Sequence, residues 1–489
     1  MTPMPPDPAE LLAALRAESL LVAAPPRLPA LARITTDSRS VEPGGIFVAV
    51  RGSEADGHRF LAAAVAAGAG VVVVERPSGL AVAEIVVTDG RRAAIALARA
   101  WYGDPGRRLS LVGVTGTSGK TTTTLLVRHL LNERGTAGSI GTLGAFDGSD
   151  RPIRSTAGSL TTPGPVDLQA TLAGLVSAGV DRVAMETSSH SLDQGRLDGL
   201  RFDGAVFTNF SREHLDYHRT MDEYRLAKLK LFDYLAPGAI AAVNGDDSAW
   251  AGLEARPKVL TFGLRPGASV RAEAVHLGPV SSRFTLTGRF GTAELELPLP
   301  GEFNVSNALG AAAVALGLGI DIRSVARRLA AAPQIPGRME RLVERPFVVL
   351  RDYAHKPDAL ERVLRTLRPL TTGRLIVLFG CGGARDTGKR PIMGRIAADL
   401  GDLIVVTSDN PRTEDPERII DDILAGIAAG ATVRRIPDRR SAIQWALGEA
   451  RPGDTLLLAG KGHETYQIIG TKSVPFDERT IVADALRGS

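Results

Sequence analysis

The stretch GVTGTSGKTTT, residues 113–123, decides how this chain is read. An apolar run at 109–114 leads into it and reads as a strand, and Leu125, Leu126, Leu130 and Leu131 continue beyond it on one side of a helical pattern. Strand, Gly-rich turn, Lys-Thr and helix make a grip for a nucleotide triphosphate. Backbone N–H groups of the turn and of the helix N-terminus point at the phosphates, Lys120 adds a point charge, and the Thr121 hydroxyl can hold Mg²⁺. The strict phosphate-loop spacing asks for Gly where Val114 stands, so the match is to the tighter core TGTSGKT. A Gly-Lys-Thr in a plain surface loop is the alternative, and the flanking strand and helix weigh against it. The expectation is an ATP- or GTP-dependent protein.

Working outward, 489 residues exceed what one hydrophobic core normally fills, and three domains are expected. Ala/Leu-rich helical stretches alternate with Val/Ile strands, which argues for α/β layers. A net charge of +4 without a basic run interleaved with aromatics gives no reason to expect nucleic acid as a partner. The single Cys381 cannot close an intramolecular disulfide, which is consistent with a reducing cytosol. The start MTPMPPDPAE lacks the basic and apolar regions of an export signal, and the longest nearly apolar run, 61–74, is too short to cross a membrane.

Residues 1–107 read as a small α/β unit with strands at 45–50, 71–75 and 85–87, closed by the turn cluster Gly103-Asp104-Pro105-Gly106. The nucleotide unit is expected over 108–336, with further strands at 183–185, 205–208 and 240–243. The segment Gln334-Ile335-Pro336-Gly337-Arg338 marks a second boundary, and 337–489 reads as a third domain. Its strands at 375–379, 403–407 and 455–459 lead into GCGGARDTGKRP, SDNPRTEDP and GKGHETYQ. In open parallel sheets the ligand crevice lies at such carboxyl ends.

Several constellations could carry chemistry. METSSH places Glu186 and His190 just past a strand, and TNFSREHLDYH does the same for Asn209, Glu213, His214, Asp216 and His218. A carboxylate and an imidazole beside a phosphate loop suit the Mg²⁺ that accompanies ATP; polar loop residues or buried histidines are the plain alternative, and structural zinc is disfavoured by the absence of Cys. In YRLAKLKLF, residues 224–232, the spacing turns Leu226, Leu229 and Phe232 to a core and leaves Lys228 and Lys230 solvated. Asn304 and Asn307 could read an adenine edge or cap a helix. Asp352 could bind a ribose or form a turn. Arg385 and Arg412 suit carboxylates, while Asp409, Asn410 and Glu464 could accept from ammonium groups; together they describe a pocket for a zwitterionic amino acid, with surface ion pairs as the alternative.

In their order along the chain, TGTSGKTTT, METSSH, TNFSREHLDYH, GEFNVSNALGA, DYAHKPDAL, GCGGARD and DNPR resemble the Mur ligases of peptidoglycan synthesis, and among them the branch that adds meso-diaminopimelate. The resemblance spans nearly the whole chain. It implies three domains: an N-terminal UDP-binding unit, a central P-loop ATPase with a mostly parallel sheet, and a C-terminal Rossmann-like unit. It further implies a cytoplasmic monomer using ATP and Mg²⁺ on UDP-MurNAc-L-Ala-D-Glu and meso-diaminopimelate.

Residue by residue, the resemblance places Ser38 at the uridine nucleotide and Thr161, Thr162, Ser188, Gln194 and Arg196 at the muramoyl peptide. ATP falls to Gly116, Thr117, Ser118, Gly119, Lys120, Thr121 and Thr122, with Asn304 and Asp352 at adenine and ribose and Arg338 at phosphate. Glu186 and His214 match metal-site positions. Lys228 matches a lysine that the family converts to a carbamate, which reverses the solvated reading above. Arg385, Asp409, Asn410, Pro411, Arg412, Gly460 and Glu464 match the diaminopimelate pocket, where Arg in DNPR answers a distal carboxylate that lysine lacks. Two departures from the family pattern are Ser118 for Asn and Lys356 for Thr. An L-lysine-adding relative and a folylpolyglutamate synthetase are the rival readings.

Overall fold

The computed structural model describes residues 5–52, 55–153, 160–256 and 258–487, so the first four residues of the Pro-rich start lie outside it. The chain forms two compact units, Met1–Val270 with Gly310–Asp321, and Arg271–Leu309 with Ile322–Ser489.

The first unit holds two sheets. The N-terminal one has five strands in the order Leu21–Ala23, Ala83–Val87, Val71–Val74, Ile46–Val48, Ile34–Thr35, antiparallel only at the first pair. All four valines of Val71–Val74 are buried, as expected of a strand covered on both faces. The helix Gly90–Tyr102 packs on this sheet. Asp89 caps it by accepting from the Arg91 and Arg92 backbone N–H groups, and Gly103 in the left-handed region ends it.

In the central sheet six parallel strands run Val259–Gly263, Leu235–Asn244, Phe202–Phe207, Ser110–Thr115, Arg182–Glu186, Ala137–Gly141. Two short antiparallel strands, Gly144–Phe146 and Pro152–Ile153, extend it. Ser110–Thr115 lies between Phe202–Phe207 and Arg182–Glu186, and strand order reverses around it. The phosphate loop, Glu186 and the 208–218 segment therefore emerge side by side at one sheet edge.

The second unit carries a six-stranded sheet, Glu340–Val343, Val348–Asp352, Thr455–Ala459, Leu375–Phe379, Leu403–Val406, Val433–Arg435, parallel except for its first pair. Leu375, Val377 and Phe379 enter one apolar cluster, and Ile376 and Leu378 enter another on the opposite face. The period of two is that of a strand roofed by helices on both sides. Two antiparallel hairpins complete the unit: Ser282–Gly288 with Gly291–Leu297, and Tyr466–Ile469 with Lys472–Pro475. The architecture is the expected α/β one with mostly parallel sheets. The hairpins are additions that the run of parallel-strand signals did not predict.

No helix among the described residues is long and apolar enough to cross a membrane.

Candidate active site

The phosphate loop is held from beneath by the next strand's exit. Asn209 Oδ1 accepts from the Ser118 backbone N–H at 2.8 Å while Asn209 Nδ2 donates to the Ser118 carbonyl at 3.0 Å. The Thr208 hydroxyl adds a second donor to that carbonyl at 2.8 Å. These anchors act through the backbone of residue 118, so they do not depend on its side chain. Gly116 has φ +148°, and a Cβ there would overlap the Thr208 hydroxyl. Gly116→Ala is expected to weaken ATP binding by about 100-fold, since strain and overlap together cost a few kcal/mol. Nucleotide titration checks this, and unchanged affinity would show that the loop is not the phosphate site.

Two lysines converge on this loop. Lys120 Nζ donates to the carbonyls of Gly116 at 3.0 Å and Thr117 at 2.8 Å, and Lys228 Nζ donates to the same Gly116 carbonyl at 2.7 Å. The solvated reading of Lys228 is therefore overturned. In helix Met221–Leu229 the buried residues are Tyr224, Ala227 and Lys228, whereas Leu226 is 58 % exposed. Tyr224 sets the phase, hydrogen-bonded to the Thr117 hydroxyl at 3.2 Å and lying 4.3 Å under the Lys228 ammonium. Lys230 stays partly exposed and pairs with Asp193 at 2.7 Å. Burial, reinforced by the Lys120 charge and opposed by Glu213, pushes the Lys228 amine well below its ordinary pKa.

Glu186 pairs in register with Val114 of the phosphate-loop strand and is buried. Its carboxylate accepts from the Thr142 backbone N–H at 2.9 Å and from the Thr142 hydroxyl at 3.2 Å. His214, at φ +57°, packs edge-on against His190 with ring centroids 4.9 Å apart.

The residues matched to the muramoyl peptide form one hydrogen-bonded cluster. The Thr162 hydroxyl donates to the Glu186 carbonyl at 2.8 Å and accepts from the Ser188 N–H at 3.1 Å, and the Thr142 hydroxyl reaches that of Thr161 at 3.3 Å. Arg196 donates to Gln194 Oε1 at 2.9 and 2.6 Å and to the Thr162 carbonyl at 3.1 Å. Sequence reasoning missed the next two members: Gln194 donates to Tyr217 at 3.3 Å, and the Tyr217 hydroxyl donates to Asp193 at 3.0 Å. Ser38 stands apart, on the N-terminal sheet in the turn whose Asp37 binds Arg39 at 2.8 Å; no hydrogen bond among the described residues joins it to the cluster.

In the second unit Arg338 and Asp352 are neighbours. Asp352 accepts from the Met339 and Ala354 N–H groups at 2.7 and 2.9 Å, and burial raises its carboxyl pKa against the pull of the Arg338 guanidinium, which lies 4.9 Å over the Tyr353 ring. Asn304 is buried with its amide turned back on the chain, donating to the Pro300 carbonyl at 2.8 Å and accepting from Asn307 at 3.3 Å. It is the third residue of helix Glu302–Gly317.

Three strand ends in this unit meet at the DNPR loop. Gly383 N–H donates to the Asn410 carbonyl at 2.9 Å, and Arg412 Nη1 donates to the Gly383 carbonyl at 3.0 Å. A Cβ on Gly382 would lie 3.0 Å from Arg412 Nη1 and 3.8 Å from Arg385 Cγ, so the guanidinium of one arginine and the stem of the other pass beside this glycine. Arg412, at φ +53°, is clamped by the 466–475 hairpin: its N–H donates to the Ile468 carbonyl at 3.0 Å and its carbonyl accepts from Gly470 at 2.7 Å. Below, the buried Arg390 grips Glu414 at 2.7 and 2.8 Å, holding that carboxyl down at about 2, and Glu414 takes the Ala384 N–H at 2.9 Å. Asn410 was read as an acceptor for an ammonium group, and its Oδ1 accepts from the Lys461 ammonium within the protein. The Asn410 amide accepts from Lys461 at 3.1 Å and from Ile468 at 2.9 Å and donates to Glu464 at 2.9 Å. Lys461, wholly buried and unassigned by sequence, is the hub of this arrangement.

A phosphate loop on one α/β sheet and an arginine-bearing loop cluster on another suit a ligase that activates a carboxylate with ATP, and the chain belongs to the Mur ligase family. The models for the family's catalytic domain, middle domain and glutamate ligase domain match residues 31–101, 114–315 and 337–462. A UDP-N-acetylmuramoyl-L-alanyl-D-glutamate--2,6-diaminopimelate ligase from Gloeobacter violaceus is 46 % identical over 463 residues, 93 % of this chain and 94 % of that one. A solved structure with the same description is 35 % identical, covers 94 % of this chain and 95 % of the other, and superposes with a TM-score of 0.66. A folylpolyglutamate synthase of Mycobacterium tuberculosis complexed with ADP, 20 % identical over 75 % of this chain and 91 % of its own with a TM-score of 0.60, shares the fold alone.

Proposed function

We propose that this protein joins an amino group of meso-2,6-diaminopimelate to the D-glutamate side-chain carboxylate of UDP-MurNAc-L-Ala-D-Glu at the expense of ATP, in the cytoplasm where both ATP and nucleotide-linked precursors reside. The observation that carries the reading is the DNPR loop, where Arg412 and Arg385 both approach Gly382 and Asp409 and Glu464 gather around Lys461, charges of both signs on one loop cluster for a substrate bearing ammonium and more than one carboxylate. Similarity to the diaminopimelate ligases supports the same choice.

The chemistry follows from charge. A D-glutamate carboxylate oxygen attacks the γ-phosphorus of ATP, the bond to the β-phosphate oxygen breaks, and ADP departs from the acyl phosphate. The deprotonated amine then attacks the acyl carbon, the C–O bond breaks, and phosphate leaves carrying the former carboxylate oxygen. Lys120 and the loop N–H groups offset the charge that accumulates on the phosphate oxygens. Arg196, fixed by Gln194, orients the peptide; Arg412 and Arg385 orient the amino acid.

Among the described residues no three His, Cys, Asp or Glu side chains form a metal cluster, so a Mg²⁺ site would add donors of other kinds to a carboxylate and an imidazole. Thr121, Glu186, His214 and a carboxylated Lys228 make such a set. Lys228 fits the modification because burial favours its neutral amine, which adds CO₂ to give a carbamate and releases one proton. Bound there, Mg²⁺ supplies countercharge to the phosphates.

Phosphate release by the purified protein tests the reading. Release should require ATP, UDP-MurNAc-L-Ala-D-Glu and an amino acid together, with meso-diaminopimelate well ahead of L-lysine and L-glutamate. Equal or greater activity with L-lysine would overturn the specificity, and activity with a folate and L-glutamate would replace the substrate altogether.

A further inference from the structure

We propose that Lys461 is a positioning and charge-setting residue of the amino-acid pocket, holding Glu464 and the DNPR loop in the form that receives the substrate's ammonium group. The inference rests on the amino-acid ligase reading above and adds a residue to it.

Lys461 follows Gly460 at the end of strand Thr455–Ala459 and has no solvent-exposed surface. A buried ammonium is tolerated only when paired and hydrogen-bonded, and this one has two hydrogen-bond acceptors and a second carboxylate nearby. Nζ donates to Glu464 Oε2 at 3.0 Å and to Asn410 Oδ1 at 3.1 Å, and Asp409 Oδ1 is a more distant ion-pair partner at 3.5 Å. Two of these partners belong to the loop that carries Arg412, and the third is the carboxylate facing it.

The arrangement fixes geometry and charge together. Glu464 Oε2 is saturated by Lys461 and by Asn410 Nδ2 at 2.9 Å, which leaves Oε1 as the oxygen available to a ligand. Asp409 and Glu464 contribute two negative charges and Lys461 one positive, so the acidic end of the pocket retains a single net negative charge. That charge suits one ammonium group. Without Lys461 two carboxylates would share a buried site, where like charges cannot both stay ionised at low cost. The loop's shape depends on the same residue, because Asn410 Oδ1 also accepts from the Ile468 N–H at 2.9 Å and so ties the hairpin that clamps Arg412. Farther down, the buried Arg439 donates to the Ser408 carbonyl at 3.3 Å and the Ala459 carbonyl at 2.9 Å, keeping the two strand ends that bear Asp409 and Lys461 side by side.

Lys461→Met, nearly isosteric and uncharged, is expected to raise the KM for meso-diaminopimelate at least about 10-fold while the KM for ATP moves less than about 2-fold, since the lost contacts are all in the amino-acid pocket. In a Glu464→Gln background the same substitution should change the amino-acid KM less than about 3-fold, because Lys461 acts chiefly through Glu464, its nearest partner at 3.0 Å, while Asn410 keeps its bond from the Ile468 N–H, and the pair's effects are then not additive. This second comparison also removes the nearer of the two carboxylates that Lys461→Met strands, Asp409 lying farther off at 3.5 Å, so it remains readable if Lys461→Met alone does not fold. An unchanged amino-acid KM in folded Lys461→Met, a loss confined to ATP, or a full 10-fold loss in the Glu464→Gln background would each overturn the proposal. Failure of the unsubstituted protein to release phosphate with any amino acid would instead overturn the ligase reading on which it rests.

Discussion

Replacing Lys228 by methionine is expected to lower kcat for phosphate release by about 10³-fold while the protein stays folded, the loss that follows when a carbamate that would hold countercharge at a phosphoryl-transfer centre is removed. The fold should tolerate the change. Lys228 is 1 % exposed with its amine disfavoured as a cation, so an apolar chain of similar length gives up one hydrogen bond to the Gly116 carbonyl and no strong ion pair. A loss of activity with an unchanged melting temperature therefore reports on chemistry. Carbon-13 NMR of the unsubstituted protein in labelled bicarbonate should show one carbamate resonance that is missing from Lys228→Met. A kcat within about 10-fold of the original would remove Lys228 from the phosphoryl-transfer site, given the magnitude that such charges usually supply.

The second large effect concerns selectivity. Arg412→Lys should raise the KM for meso-diaminopimelate by about 100-fold and reduce its advantage over L-lysine by a similar factor, with ATP affinity unchanged, because a point charge cannot replace a planar two-pronged donor against a carboxylate. The backbone argues for the same residue. Arg412 is held at φ +53° by hydrogen bonds to Ile468 and Gly470, an expensive conformation that is kept where it aims a side chain. Lysine has the same backbone cost, so the comparison isolates the guanidinium. Initial rates with the two amino acids at fixed ATP check it; an unaltered preference would mean that the distal carboxylate is read elsewhere.

The strands were legible because each is a short apolar run ending in Gly or polar residues, and the run at 375–379 coincides with the observed Leu375–Phe379. The convergence of the phosphate loop, Glu186 and the 208–218 segment was also legible, since each follows a parallel strand and such strands deliver their ends to one edge. Lys228 was not legible from composition. Phase in a short helix is inferred from apolar residues, and here Tyr224 and a buried lysine take the inner face while Leu226 faces solvent. Only the family resemblance pointed inward. Lys461 escaped for a related reason: a lysine between two glycines reads as solvated until its carboxylate partners, 3 and 52 residues away in sequence, are seen around it. Asn410 shows the reverse case, a polar residue in a binding loop whose amide is taken up by the loop itself.

The central claim is that the γ-phosphate activates a carboxylate, and oxygen labelling tests it most directly. With UDP-MurNAc-L-Ala-D-Glu carrying ¹⁸O in the D-glutamate side-chain carboxylate, the account predicts one ¹⁸O atom in each phosphate released during amide formation. Phosphate free of label, with the amide product still formed, would contradict it.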